Sequence, residues 1–135
     1  MNGAGAKRVI GPLSPPPPSA YTEDAVFTHS GGDAELRCTY ERTGSMYAGG
    51  LRFHRVRAFR FRADSHCTAW HIEGAYDTLV EVEQSDWVIE LVDAEPSEAW
   101  GGQWKIRHFL IYIDDAGAYE IAAEDCEWLP EERVS

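Results

Sequence analysis

The chain has 135 residues, a hydrophobic fraction of 44% and a net charge of −11, which fits one domain with an ordinary core. No apolar run approaches membrane-spanning length, and the acidic surplus repels nucleic acid and anionic lipid, so neither is expected as a partner. Five Trp, six Tyr and five Phe favour strands with large packing units over a leucine-rich bundle.

Residues 1–20 are rich in Gly, Ala and Pro, and Pro15 to Pro18 suit a stiff polyproline II segment. The composition predicts a disordered N-terminal tail. Residues 21–130 then form a single antiparallel β domain, and residues 131–135 a charged C-terminal tail. Within the domain, Ala25 to His29 reads as a strand and Ser30 to Asp33 as a turn. Ala34 to Tyr40 reads as a second strand with Leu36, Cys38 and Tyr40 on one face. Residues 42–50 (RTGSMYAGG) read as a loop closed by Gly49 and Gly50.

Leu51 to Arg62 (LRFHRVRAFRFR) poses a phase problem. Leu51, Phe53, Phe59 and Phe61 share one face of a straight strand, but Arg55 and Arg57 fall in the same phase. A corner near His54–Arg57, with Val56 turned inward, resolves the conflict and predicts two short strands, Leu51–His54 and Arg57–Ala63. Residues 65–76 read as irregular or a short strand. Thr78 to Glu83 and Trp87 to Val92 read as strands joined by a turn at Gln84–Asp86, and residues 93–103 as a loop.

Lys105 to Ala123 is the clearest hairpin. Phe109, Ile111 and Ile113 alternate with His108, Leu110 and Tyr112, which suits a strand covered on both sides. Asp114 to Gly117 supplies the turn, expected as type I closed by a left-handed glycine, and Tyr119, Ile121 and Ala123 return the chain. The paired aspartates lack calcium-loop spacing and read as turn chemistry. Glu124 to Leu129 reads as a further strand, with a helix over 120–128 as the competing pattern. Eight or nine short strands without a crossover helix give an all-β fold, an antiparallel β-sandwich with a closed β-barrel as the alternative.

Cys38, Cys67 and Cys126 form no CxxC pair, and no apolar stretch follows Lys7 and Arg8, so reduced thiols in a cytoplasm are expected. Ten Arg against two Lys suggest a GC-rich, bacterial coding sequence. His66, Cys67 and His71 lack a fourth zinc ligand, and His66 and His71 fall on opposite faces of a strand. The carboxylates Glu81, Glu83 and Glu90 show no defined pairing for acid–base work. No catalytic, cofactor or metal residue is assigned. The stripe Arg52, Arg55, Arg57, Arg60 and Arg62, interleaved with Phe59 and Phe61, has the pattern of an anion site. The acidic chain around it favours pairing across strands with Glu81, Glu83 and Glu90.

The order LRFHRVRAFRF, a Glu-rich strand with Trp87, then a closing hairpin resembles small bacterial β-sandwich proteins similar to the immunity proteins of polymorphic toxin systems. The likeness runs over roughly residues 25–128. It implies a non-enzymatic, acidic protein that binds and neutralises a basic partner. Trp100 and Trp104, in or beside a Gly-rich loop, and Arg52, Arg55 and Arg57 are the candidate partner-binding residues. A small-ligand or carbohydrate-binding domain is the second reading, and a small enzyme with an unrecognised site the third.

Overall fold

A computed structural model describes residues 6–13, 20–21, 25–94, 105–114 and 116–134. Eleven strands among them form two separate antiparallel sheets with no barrel closure, a β-sandwich. The first sheet holds β1 (Lys7–Pro12), β7 (Thr78–Val82), β8 (Arg107–Ile113), β9 (Gly117–Ala123) and β6 (Ala58–Ala63), in that spatial order. The second is built on the β4 (Asp33–Arg42) and β5 (Ser45–His54) hairpin. β10 (Asp125–Trp128) and β11 (Glu132–Arg133) lie on the β5 side, β2 (Ala20–Tyr21) and β3 (Val26–Ser30) on the β4 side.

The predicted hairpin sits at the heart of the first sheet. β8 lies between β7 and β9, and both its faces are covered, as its two-sided apolar pattern implies. Phe109, Ile111 and Ile113 meet Leu36, Tyr40, Leu51 and Phe53 of the other sheet in the main core. The rings of Phe53 and Phe109 lie 5.6 Å apart. On the outer face Leu110 and Tyr112 pack with Val80, Val82, Ala118 and Ala75. There they lie beneath α1 (Ala69–Ile72), the short helix that carries Trp70 and Ile72. Ala116 closes the hairpin turn by donating to the Ile113 carbonyl at 3.0 Å. Gly117 lies at φ +141° rather than in the expected left-handed helical well.

The corner between β5 and β6 falls where the phase argument places it. β5 ends at His54 and β6 begins at Ala58, Arg55 takes φ +54°, and Val56 packs against the main core. The predicted strand through Cys126 and Trp128 is also present, as β10 along β5, so the helix over 120–128 is excluded.

Several expectations are corrected. Residues 7–12 of the expected tail form β1, paired in antiparallel register with β7, and Leu13 is fully buried. Pairing satisfies the backbone and Leu13 fills the core, which outweighs the Gly/Pro composition. Pro15 to Pro18 lie outside the described residues. The expected C-terminal tail pairs with β5 through Glu132 and Arg133, and Glu131 accepts hydrogen bonds from Tyr40 (2.7 Å) and Arg42 (3.1 Å).

Residues 45–50 are strand, not loop: the turn is Thr43–Gly44, and Gly49 and Gly50 are small because β4 lies against them. A Cβ on Gly50, at φ +141°, would collide with the Leu36 carbonyl oxygen. Residues 64–72 hold a 3-10 turn and α1. Trp87 to Val92 belongs to α2 (Asp86–Ala94), a helix whose N-terminus is capped by Ser85. No helix among the described residues is long and apolar enough to cross a membrane.

Candidate partner-binding surfaces

Arg52, Arg55 and Arg60 of the stripe meet carboxylates, though not those expected, and Arg62 donates to the His66 carbonyl at 3.4 Å. Arg52 stands opposite Glu35 in the β4–β5 ladder and lies 3.1 Å from Asp33 and 3.7 Å from Glu35. Arg55 reaches Glu124 at 3.6 Å. Arg60 stands opposite Glu120. Glu81 is held by Arg107, at 2.8 and 3.1 Å, and by Arg8 instead. The strand order explains the substitution, since β6 neighbours β9 and lies at the far end of the sheet from β7. Arg55 and Arg57 line an open depression of about 560 Å³ with Gly31, Gly32, Asp33 and His54. Of the predicted partner residues, Arg52, Arg55 and Arg57 thus gather around the β3–β4 turn. Trp100 and Trp104 lie outside the described residues.

A buried polar cluster on the outer face of the first sheet was not foreseen. Alternation along β9 puts Glu120 on that face with Ala118 and Ala122, and it is only 4% exposed. Arg60 donates to it twice at 3.0 Å, and His108 Nε2 lies 2.7 Å from its Oε1. Ser85 Oγ accepts the Val88 N–H at 3.2 Å and lies 2.7 Å from His108 Nδ1. In the neutral ring with its proton on Nε2, that N–H donates to the carboxylate and the serine hydroxyl donates to Nδ1. Burial pushes the Glu120 carboxyl up, but hydrogen bonds from His108 and Arg60 outweigh it and bring it from 4.5 to about 2.

His71 accepts the Thr68 N–H at Nδ1 (3.0 Å) and turns Nε2 to within 4.0 Å of Glu120. Burial pulls the His71 pKa below its ordinary value. The Arg60 guanidinium stacks 4.1 Å from the Trp87 ring centre, and Trp87 meets His108 edge-on at 4.9 Å. A serine, a histidine and a carboxylate in sequence have the order of a nucleophilic relay. Here the serine is 5% exposed and its hydroxyl caps a helix, so the chain of bonds fastens α2 to β8, β9 and β6. The only sequence signal for it was Ser85 before an apolar run, a helix-capping signature.

His66, Cys67 and His71 do not converge. His71 faces Glu120, whereas Cys67 Sγ lies 3.4 Å from the Arg62 carbonyl and 3.5 Å from that of Ala63. Among the described residues no group of three or more His, Cys, Asp or Glu side chains is placed to hold a metal ion. Burial raises all three thiols, Cys38 to about 12 and Cys126 to about 11.

Two apolar surfaces are exposed among the described residues. None of the residues of α2 is buried; Ile89 and Val92 point outward among Asp86, Glu90 and Asp93, and the helix carries no basic residue. Beside it a cleft of about 340 Å³ is lined by Val82, Val88, Ile89 and Ile106 and by the charged side chains Glu81, Glu83 and Arg107. On the inner side of β6, Phe59 and Phe61 are 46% and 52% exposed. They line a groove of about 490 Å³ with Phe27, Tyr119 and Ile121, and Arg60 and Glu120 also border it.

Compared with protein-family models, with curated proteins and with solved structures, the chain gives no match.

Proposed function

We propose that the protein is a non-enzymatic binding protein that takes a basic partner protein on α2, as an immunity-like inhibitor does. The observation that carries this reading is the chemistry of α2. It exposes two aliphatic side chains, three carboxylates and no cation. A carboxylate near a helix N-terminus favours the helix, but Asp93 in the last turn opposes the helix dipole. Asp93 therefore serves the outward field rather than the helix. The adjoining cleft is lined by Val88, Ile89 and Ile106 together with Glu83 and the Arg107–Glu81 ion pair. It suits a lysine or arginine whose aliphatic stem lies on Val88 and Ile89 while its head meets the half-exposed Glu83 carboxylate. Arg52, Arg55 and Arg60 each lie within ion-pair distance of a carboxylate of this chain, and the chain as a whole carries a net charge of −11. Such a charge speeds association with a basic surface.

The test is affinity capture with the parent protein and with a Glu90→Lys/Asp93→Lys variant, followed by titration with the purified captured protein. The expected partner is a single basic protein. Its affinity falls as salt rises from about 50 to about 500 mM, because the Debye length shrinks across that range. The variant should lose at least about tenfold, or 1.4 kcal/mol. Equal affinity for parent and variant, or indifference to salt, overturns the reading.

A further inference from the structure

β6 ends the first sheet. It pairs with β9 on one side, and among the described residues no strand pairs its other side. Such an edge presents a row of backbone donors and acceptors at strand spacing. Its register with β9 runs without a break from Ala58 to Ala63, and it holds no proline. Bulges and prolines, two common devices that spoil an edge, are therefore absent along it.

The side chains of β6 alternate in chemistry as well as direction. Phe59 and Phe61 face the groove with Phe27 and Tyr119, at ring separations of 4.7 Å (Phe27–Phe59) and 4.8 Å (Phe61–Tyr119). Arg60 and Arg62 face the opposite side. We propose that β6 is a strand-addition site for an extended segment of a partner protein in which apolar residues alternate with acidic ones. The added strand continues the ladder, its apolar side chains enter the Phe27–Phe59–Phe61–Tyr119 groove, and its carboxylates stand across from Arg60 and Arg62. Strand addition draws affinity from main-chain pairing and selectivity from alternate side-chain pockets. The groove volume, about 490 Å³, lies within the range of specific sites.

Charge selects the occupant. Residues 55–63 contain four arginines and no carboxylate. A second copy of β6 laid antiparallel and centred on Arg60 would bring Arg60 against Arg60, a repulsive pair. An acidic segment makes cross-strand pairs at about 5 Å. Arg60 already shares its guanidinium with Glu120 at 3.0 Å, so an added carboxylate would stand beside that pair and against Arg62, while acidic surfaces beyond about 8 Å are screened at physiological salt. This surface is distinct from the α2 face, and its test does not depend on the basic partner.

The experiment is a peptide array in which Val, Ile, Phe or Tyr alternates with Glu or Asp, read by fluorescence anisotropy against the full chain. The best binder is then remade with shuffled order, with Lys for Glu, and with N-methylation of alternate residues in each of the two phases. Shuffling and Lys replacement should each weaken binding by roughly tenfold or more, equivalent to 1.4 kcal/mol. Methylation should abolish binding in one phase and be tolerated in the other, because only alternate N–H groups face β6. Phe59→Ser and Phe61→Ser, each made singly and shown folded by a cooperative melt, should each weaken peptide binding by roughly tenfold or more. Three results overturn the proposal: no array member binds, methylation acts equally in both phases, or sedimentation shows a dimer that no peptide displaces.

Discussion

Arg60 holds Glu120 through two hydrogen bonds of 3.0 Å, Nε to Oε2 and Nη2 to Oε1, straight across the β6–β9 ladder. The pair joins an edge strand to a carboxylate that is 4% exposed. Arg60→Ala would leave Glu120 with His108 at 2.7 Å and His71 at 4.0 Å as its neighbouring polar partners. Breaking a fully buried pair costs about 3–5 kcal/mol, and the half-exposed Arg60 scales that down to roughly 1–3 kcal/mol. Urea unfolding measures it. Arg60→Glu should cost more, since it sets two carboxylates against each other in the ladder. A loss below about 0.5 kcal/mol for Arg60→Ala, the size of an ordinary surface change, would show that water already solvates Glu120.

The same cluster sets a dependence on acid. Burial raises the Glu120 pKa, and the bonds from His108 and Arg60 reverse that and lower it from 4.5 to about 2. A carboxyl lowered in the fold stabilises it above the unfolded pKa and loses that contribution as pH falls through the folded one. His71, lowered from 6.5 mainly by burial, acts in the same direction, because the unfolded chain takes up the proton first. The urea midpoint should begin to fall below about pH 6.5 and fall most steeply between about 4.5 and 2. Glu120→Gln should flatten the lower part of that profile. A midpoint that rises between pH 6 and 3 would contradict the assignment.

Ile111 is fully buried at the centre of the main core. Ile111→Ala should cost roughly 2–5 kcal/mol, the usual range for such a truncation. The loss is read from the denaturant midpoint at an unchanged slope. An unchanged midpoint would place β8 at the exterior.

Gly50 and Gly44 offer a paired test of backbone constraint. Gly50 lies at φ +141° with its missing Cβ directed into the Leu36 carbonyl, whereas Gly44, at φ +81° in the β4–β5 turn, has open space around it. Gly44→Ala carries only the conformational cost, about 1–3 kcal/mol. Gly50→Ala adds a collision with backbone and should be clearly worse in thermal melts. Equal losses would show that β4 and β5 can separate at Gly50 without penalty.

The corner at Arg55 was readable because an arginine in the phase of Phe53 and Phe59 has no place in a core, so the chain had to change direction. The main hairpin was readable because alternation and turn chemistry agreed. α2 was misread as a strand because the run WVIELV is too short for its period to separate a strand from a helix. The deciding signal was Ser85, whose hydroxyl caps Val88. β1 was hidden by glycines and prolines around Val9 and Ile10, and its partner lies some seventy positions along. The Glu120 cluster draws on β6, β8, β9 and the cap of α2. Its members share no local spacing, so only the strand order could assemble it.

The two sheets are interleaved along the chain. β1 belongs to one, β2 to β5 to the other, β6 to β9 to the first again, and β10 and β11 to the second. Trp128 Nε1, beyond the last strand of the first sheet, donates to the Pro12 carbonyl at 2.9 Å. During synthesis the β4–β5 hairpin can form early, but its apolar face has no cover until β8 and β9 emerge, and β1 waits for β7. Closing such distant pairings before their contacts stabilise the chain is slow, on the order of milliseconds to seconds for folds of this kind. Nascent chains stopped before Lys105 should therefore remain open to protease, and those reaching past Trp128 should become resistant in one cooperative step.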